Sequence, residues 1–180
     1  MKFKAQIMNE DEVNRVLVRM SHQIIEKNHG TENLCLIGIK TRGIPLAYRI
    51  AKNISEINNT SIDVGELDIT LYRDDLTKLS AEPVVTDPAI NIPFSVEGKT
   101  VVLVDDVIFT GRTARAALEA VMKLGRPSRV QLAVLVDRGH SELPIKATFV
   151  GKNIPTSLSE IVAVHLAEHD GITNVVINEK

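Results

Sequence analysis

This 180-residue chain has no tryptophan, two tyrosines and four phenylalanines. With so few rings, recognising a nucleic acid by stacking its bases on an aromatic platform is not expected. The single cysteine, Cys35, cannot form an internal disulfide. Its place in L-C-L-I-G-I marks it as core, in keeping with a reducing compartment. No apolar run approaches the roughly 18–20 residues that span a bilayer. The opening M-K-F-K-A-Q-I-M-N-E-D-E lacks the apolar stretch of a signal peptide, so a cytoplasmic chain without membrane contact is expected. A net charge of −2 gives no global attraction to nucleic acid, and any such binding must use a local patch. There is no Walker loop, no G-x-G-x-x-G fingerprint, no internal repeat and no low-complexity linker. The length fits one domain, residues 1–180, with a real hydrophobic core.

What is present is organised around Val101–Thr113, V-V-L-V-D-D-V-I-F-T-G-R-T. Its first half is short, apolar and β-branched, which reads as a buried strand. Thr113–Leu124 reads as a helix, with Ala114, Ala117, Leu118, Val121 and Leu124 at three- and four-residue steps before Gly125 and Pro127 end it. Phe109–Thr113 is therefore a loop from the carboxyl end of a strand to a helix N-terminus, where open α/β sheets bind ligands. Gly111 permits close backbone approach. First-turn N–H groups and the Thr110 and Thr113 hydroxyls are donors for an anion. Asp105 and Asp106 would repel a phosphate and fit a vicinal diol or a divalent cation, which points to a sugar phosphate. A buried strand that merely ends in two acids is the plain alternative.

The same logic applies at Leu34–Lys40, a second buried strand, followed by a helix over Ile44–Ile54 with Pro45 in its first turn. Lys40, Thr41, Arg42 and Gly43 then form another strand-to-helix junction, suited to a second polyanion such as pyrophosphate or, more plainly, an exposed basic turn. Asn9 and Glu12 make a capping box for a helix over about 9–28, with Val13, Val16, Leu17, Met20 and Ile24 as its buried stripe. Arg15, Arg19, His22 and Lys27 lie on its polar side and by themselves read as a solvated face. Ser61–Leu71 reads as a strand, followed by the charged L-Y-R-D-D-L-T-K-L-S-A-E-P and an extended Val84-Val85. That pattern predicts a hairpin with a mobile tip, the sort of element that closes over a site. Val130–Val136 is a further buried strand. Ile161–Leu166 and Thr173–Asn178 are extended, with Asp170-Gly171 as a turn between them. Strand–helix alternation from 34 to 137 predicts an α/β fold with a mostly parallel sheet flanked by helices, capped by the last forty residues.

Val101–Thr113 resembles the phosphoribosyl-pyrophosphate (PRPP) motif of the type I phosphoribosyltransferases, and the resemblance implies that fold, with a flexible hairpin lid and a small C-terminal cap or hood over about 137–180. D-R-G-H-S-E-L-P-I-K-A-T-F-V-G-K-N-I-P-T-S after position 136 further resembles the bacterial pyrimidine operon attenuation regulators that carry uracil phosphoribosyltransferase activity. The likeness extends through G-I-K-T-R-G, L-D-I-T-L-Y-R-D-D-L and G-R-P. It implies that uracil and PRPP give UMP and pyrophosphate with Mg²⁺, the metal held mainly by PRPP with Asp105 and Asp106 nearby. Asp105, Asp106 and Arg73 are the implied catalytic residues, Arg73 on the lid. Thr110, Gly111, Arg112 and Thr113 bind the phosphate, Lys40–Gly43 bind pyrophosphate, and Asp137 and Arg138 bind uracil, the Arg138 guanidinium on the ring. It also implies a UMP- or UTP-responsive surface for pyrimidine-operon leader mRNA, made by Arg19, His22, Lys27, His140, Lys146 and Lys152, and a homodimer or higher homo-oligomer. Ser141 stands where the family usually has Arg, and Val18 where it has a small hydroxyl residue. A phosphoribosyltransferase for hypoxanthine or orotate without RNA binding is the alternative.

Overall fold

In a computed structural model of the chain, residues 1–69 and 90–180 are described. Strand β1 (Lys2–Met8) leads into helix α1 (Glu10–Lys27). The predicted capping box is present, with the Glu12 N–H donating to Asn9 Oδ1 at 2.9 Å and the Asn9 N–H to Glu12 Oε2 at 2.9 Å. Val13, Leu17, Met20 and Ile24 are fully inside, each worth roughly 1.5–3 kcal/mol of burial. Then follow β2 (Leu34–Ile39), α2 (Gly43–Asn58), β3 (Asp63–Leu67), β4 (Ile90–Asn91), β5 (Thr100–Ile108) and α3 (Arg112–Leu124). The chain ends with β6 (Arg129–Asp137), β7 (Phe149–Asn153), β8 (Glu160–His165), a short α4 (Ala167–Asp170) and β9 (Asn174–Glu179).

The main sheet has the order β4-β3-β2-β5-β6-β7, parallel except where β4 pairs antiparallel with β3. Alternate side chains divide its core. Leu34, Leu36, Val102 and Val104 face α1 and α2, while Cys35, Ile37, Val101 and Leu103 face α3. Helices therefore cover both faces, as the apolar, non-alternating strands require. Cys35 is buried, and desolvation pushes its thiol up to about 11, which keeps it an inert core group.

Two strands, β1 and β7, lie where the sequence analysis predicts none. β7 adds a parallel edge strand to β6. β1 pairs antiparallel with β9, so the second sheet, β1-β9-β8, is built from both chain ends and not from the carboxyl end alone. Its Met8, Val162, Val164, Val175 and Ile177 join the α1/α2 core. Val84, Val85 and Arg73, part of the predicted hairpin, lie outside the described residues, whereas the β3–β4 pairing of Leu67 with Ile90 is seen. Among the described residues, no helix is long and apolar enough to cross a membrane.

Candidate active site and basic groove

Strand registry sets the site. Gly38 pairs with Val104, Ile108 with Asp137, and Asp137 with Asn153, so β2, β5, β6 and β7 end along one edge. The loops that leave this edge carry Lys40–Arg42, Phe109–Gly111 and Arg138–His140. Two joined recesses lie there. One, of about 300 Å³, is lined by Asp105 and the Phe109–Thr113 loop with Val134 beneath. The other, of about 240 Å³, is lined by Lys40, Thr41, Arg42, Asp105, Asp106 and Thr113.

Gly111 begins α3 in the left-handed region at φ +91°, which a side chain would disfavour. The turn aims the first free N–H groups of α3 into the recess. Its outer wall is the segment after β6. The Glu142 N–H donates to the Thr110 carbonyl at 3.0 Å, and Arg112 pairs with the Glu142 carboxylate at 2.9 Å. Thr110, Gly111, Arg112 and Thr113 thus line one recess at the start of α3.

Asp105 Oδ1 accepts the Asp106 N–H at 2.9 Å, and Asp106 Oδ1 accepts the Val107 N–H at 2.8 Å. Both carboxylates open onto the recess yet lie deep in the fold. Burial pushes the Asp105 carboxyl well up, and the Asp106 charge adds to it. Burial also raises Asp106, opposed by its hydrogen bonds from Asp105 and Val107 and by Arg42. Two desolvated acids side by side favour a positively charged or hydroxyl-rich partner.

The second junction is held against the first by Gly43. A Cβ at this residue would lie 2.2 Å from the Val104 carbonyl oxygen, so only glycine lets α2 start so close to β5. The Lys40–Thr41 peptide is cis. Lys40 pairs with Asp68 at 2.8 Å. Arg42 reaches across to α4, its Nε and Nη2 donating to the Asp170 carboxylate at 3.2 and 2.8 Å. Asp170, which the sequence reading placed only in a turn, is therefore a neighbour of the site.

Arg138 is buried, its guanidinium centred 4.2 Å from the Phe109 ring centroid. Its Nε donates to the Thr156 hydroxyl at 3.1 Å, and its Nη2 to the Ser157 and Glu160 carbonyls at 3.1 and 2.7 Å. Burial lowers its pKa from the usual high value. Arg138 is thus fixed in part by Phe109, which the sequence places in the loop after β5 without indicating this contact. Asp137 Oδ1 accepts the Gly139 N–H at 2.9 Å, shaping the turn beside the recess.

The six residues expected to bind RNA are all exposed, but they do not form one cluster. Arg19 and Lys152 share a groove of about 440 Å³ between α1 and β7, with Arg15, Val16 and Glu12. Arg19 donates to the Gly151 carbonyl, and Lys152 to the Ile7 carbonyl at 3.3 Å. Lys27 borders a second hollow along the same α1–β7 seam, and His22 is on the same helix. Lys146 lies on the α3 side, beside Leu118 and Leu132. His140 lies beside the Phe109 loop, its ring edge-on to Phe109 at 5.8 Å and its Nε2 2.6 Å from the Thr156 carbonyl oxygen. The Ser141 hydroxyl donates to the Leu143 carbonyl at 2.7 Å, and Val18 is exposed. Among the described residues, no cluster of three or more acidic, histidine or cysteine side chains could cage a metal by itself.

The sequence model of the phosphoribosyl transferase domain matches residues 5–169. The chain is 60% identical over 176 residues to the bifunctional protein PyrR of Pelotomaculum thermopropionicum, covering 98% of this chain and 96% of that one. It is 58% identical over 180 residues to PyrR of Thermus thermophilus, covering 100% of this chain and 98% of that protein. Among solved structures, the hypoxanthine phosphoribosyltransferase of Trypanosoma cruzi superposes with a TM-score of 0.74 at 16% identity, covering 98% of this chain and 97% of that one. The Staphylococcus aureus hypoxanthine enzyme gives 0.73 at 18% identity, covering 99% and 94%. At such identities the structural likeness shows the fold alone.

Proposed function

The chain belongs to the phosphoribosyl transferase domain family, and on that premise we propose that it converts uracil and PRPP to UMP and pyrophosphate and, when holding a uridine nucleotide, binds pyrimidine-operon leader mRNA. The observation that carries the enzymatic part is the junction of two anion loops over a pair of desolvated acids. Asp105 and Asp106 hold the ribose diol, and their charge favours the positive charge that develops on the ring as the bond to pyrophosphate breaks. The Thr110–Thr113 loop holds the 5′-phosphate at the start of α3. Lys40, Thr41, Arg42 and Gly43 receive the departing pyrophosphate, and Arg73 acts from the lid. Catalysis is then mostly positioning and electrostatics. The two carboxylates are hard oxygen donors that open onto the recess shared with Arg42, so they would fit beside a Mg²⁺ bound chiefly by PRPP. Such an ion supplies charge neutralisation on the pyrophosphate.

The base is read at the end of β6. Arg138, locked by Thr156, Ser157 and Glu160, is an always-charged planar group for the uracil side, with Asp137 shaping the adjoining turn. The regulatory part is supported by the relatives' name, bifunctional protein PyrR, and by the Arg19–Lys152 groove. The protein is taken to be cytoplasmic and homo-oligomeric. Pyrophosphate release from PRPP, measured with uracil, hypoxanthine and orotate in turn, tests the reaction. Uracil should be the accepted base, and a preference for either other base would replace this reading with a different transferase.

A further inference from the structure

Helix α2 is fastened to α4 by two arginine–carboxylate pairs. Arg49 donates from Nε and Nη2 to Glu168 at 2.8 and 2.7 Å, and from Nη2 to the Thr173 hydroxyl at 3.3 Å. Arg42, seven residues earlier, makes the corresponding fork to Asp170. The two pairs differ in one respect. Arg42 lines the recess with Asp105 and Asp106, and Arg49 does not.

Asp170 is itself held rigidly. Its Oδ2 accepts the Leu166 N–H at 2.9 Å as well as Arg42 Nε, and the next residue, Gly171, turns the chain at φ +70° into β9. The acceptor that meets Arg42 is thus fixed by backbone, not carried on a loose side chain. A guanidinium has five N–H donors in one plane. Two of them go to Asp170, and the remaining three, on the Nη1/Nη2 end, have no partner among the described residues. Asp106 is close enough to feel the Arg42 charge.

From this geometry we infer that Asp170 is a positioning residue for the pyrophosphate side of the reaction. It clamps one edge of the Arg42 guanidinium so that the other edge stays presented to the anion. A flexible arginine would lose side-chain freedom each time it met pyrophosphate, and a clamped one has lost it in folding. The clamp also ties the anion loop to the β1-β9-β8 sheet, which sits beside the base end of the site. The inference rests on the reading of Lys40–Gly43 as a pyrophosphate loop.

The test compares the parent with Asp170→Asn, Asp170→Glu and Glu168→Gln. Binding of magnesium pyrophosphate is measured by calorimetry, and KM for PRPP and for uracil by steady-state kinetics. Asp170→Asn should weaken pyrophosphate binding and raise the PRPP KM by about 10- to 100-fold, the scale of a misplaced contact group, with the uracil KM near the parent value. Asp170→Glu should recover much of the loss. Glu168→Gln, which breaks the neighbouring pair, should lower the melting temperature without moving the PRPP KM. The inference is overturned if Asp170→Asn binds pyrophosphate as well as or better than the parent, or if its PRPP and uracil KM values rise together. A parent that binds no pyrophosphate would remove the loop assignment itself, whereas a parent that binds it while Asp170→Asn is unaffected removes only the role of Asp170.

Discussion

The guanidinium of Arg138 stacks on the Phe109 ring, 4.2 Å from its centroid, and this contact joins the end of β6 to the loop after β5. His140 approaches the same ring edge-on at 5.8 Å. One aromatic side chain thereby touches both a residue assigned to the base and one assigned to RNA. The stack also explains how a buried cation is tolerated, since a π-face and three oxygen acceptors replace its water.

Phe109→Leu keeps an apolar group of similar size and removes the π-face. A cation–π contact contributes about 0.5–2 kcal/mol, so uracil affinity should fall by about 2- to 30-fold as Arg138 loosens. PRPP affinity should change less. Equal loss of both, measured by titration, would show that Phe109 shapes the phosphate loop and not the base end.

Asp106→Asn should retain the fold and lose turnover by about 10²–10³, comparable to removing one preorganised electrostatic group. The amide can still accept the Val107 N–H, so circular dichroism and the melting curve should stay close to the parent. Near-parental turnover in the folded variant would remove Asp106 from the mechanism.

Gly43→Ala should abolish pyrophosphate binding and destabilise the protein by about 1–3 kcal/mol, because the new Cβ would collide with the Val104 carbonyl oxygen. Urea unfolding measures the second effect. A variant as stable as the parent would mean that the two loops are not held together at this contact.

Acid should release the Arg42 clamp. The Arg42 hydrogen bonds and the Leu166 N–H hold the Asp170 carboxyl down at about 2, below its ordinary 3.8. A depressed carboxylate gives stability that is present above the ordinary pKa and is lost as pH falls toward the folded-state value. The parent should therefore lose this contribution between about pH 4 and pH 2, and Asp170→Asn should have none to lose there. Parallel unfolding curves for the two proteins across that window would show that the pair does not stabilise the fold.

The RNA surface makes a prediction that the sequence could not rank. Arg19→Gln with Lys152→Gln changes two cations of one groove, whereas Lys146→Gln changes a cation on the α3 side. The double variant should weaken leader-RNA binding and flatten the log–log salt slope by roughly 0.7–0.9 per phosphate contact, with uracil transfer unchanged. Lys146→Gln should have the smaller effect. UMP should tighten parental binding by about 5- to 150-fold, the usual range of coupling between sites. Gel shifts over a salt series check all of this, and equal effects of the Lys146 and Lys152 changes would refute the groove.

Local sequence determined each element whose signal is carried within a few residues. The apolar run before Asp105-Asp106 made β5, Gly111 made the turn, and the three-and-four spacing after it made α3. Asn9 and Glu12 fixed the start of α1, because both cap partners lie within one helical turn. The strand-to-helix junction at Phe109–Thr113 and the acids before it were legible for the same reason. β1 and β7 were not: the alternation of β1, Lys2-Phe3-Lys4-Ala5-Gln6-Ile7, is short and mostly exposed, and its partner β9 lies at the far end of the chain, while β7 is only five residues long. What joins distant segments was decided by tertiary structure. Gly43 meets Val104 across two parallel strands, Arg42 meets Asp170 at a separation of 128 residues, and Arg138 meets Phe109 through strand registry. The basic residues divide between the two faces of the sheet because α1 covers one and α3 the other. A short-range pattern specifies which face of an element is buried. Which partner that face meets depends on how the crossovers stack the strands, and no local pattern contains that.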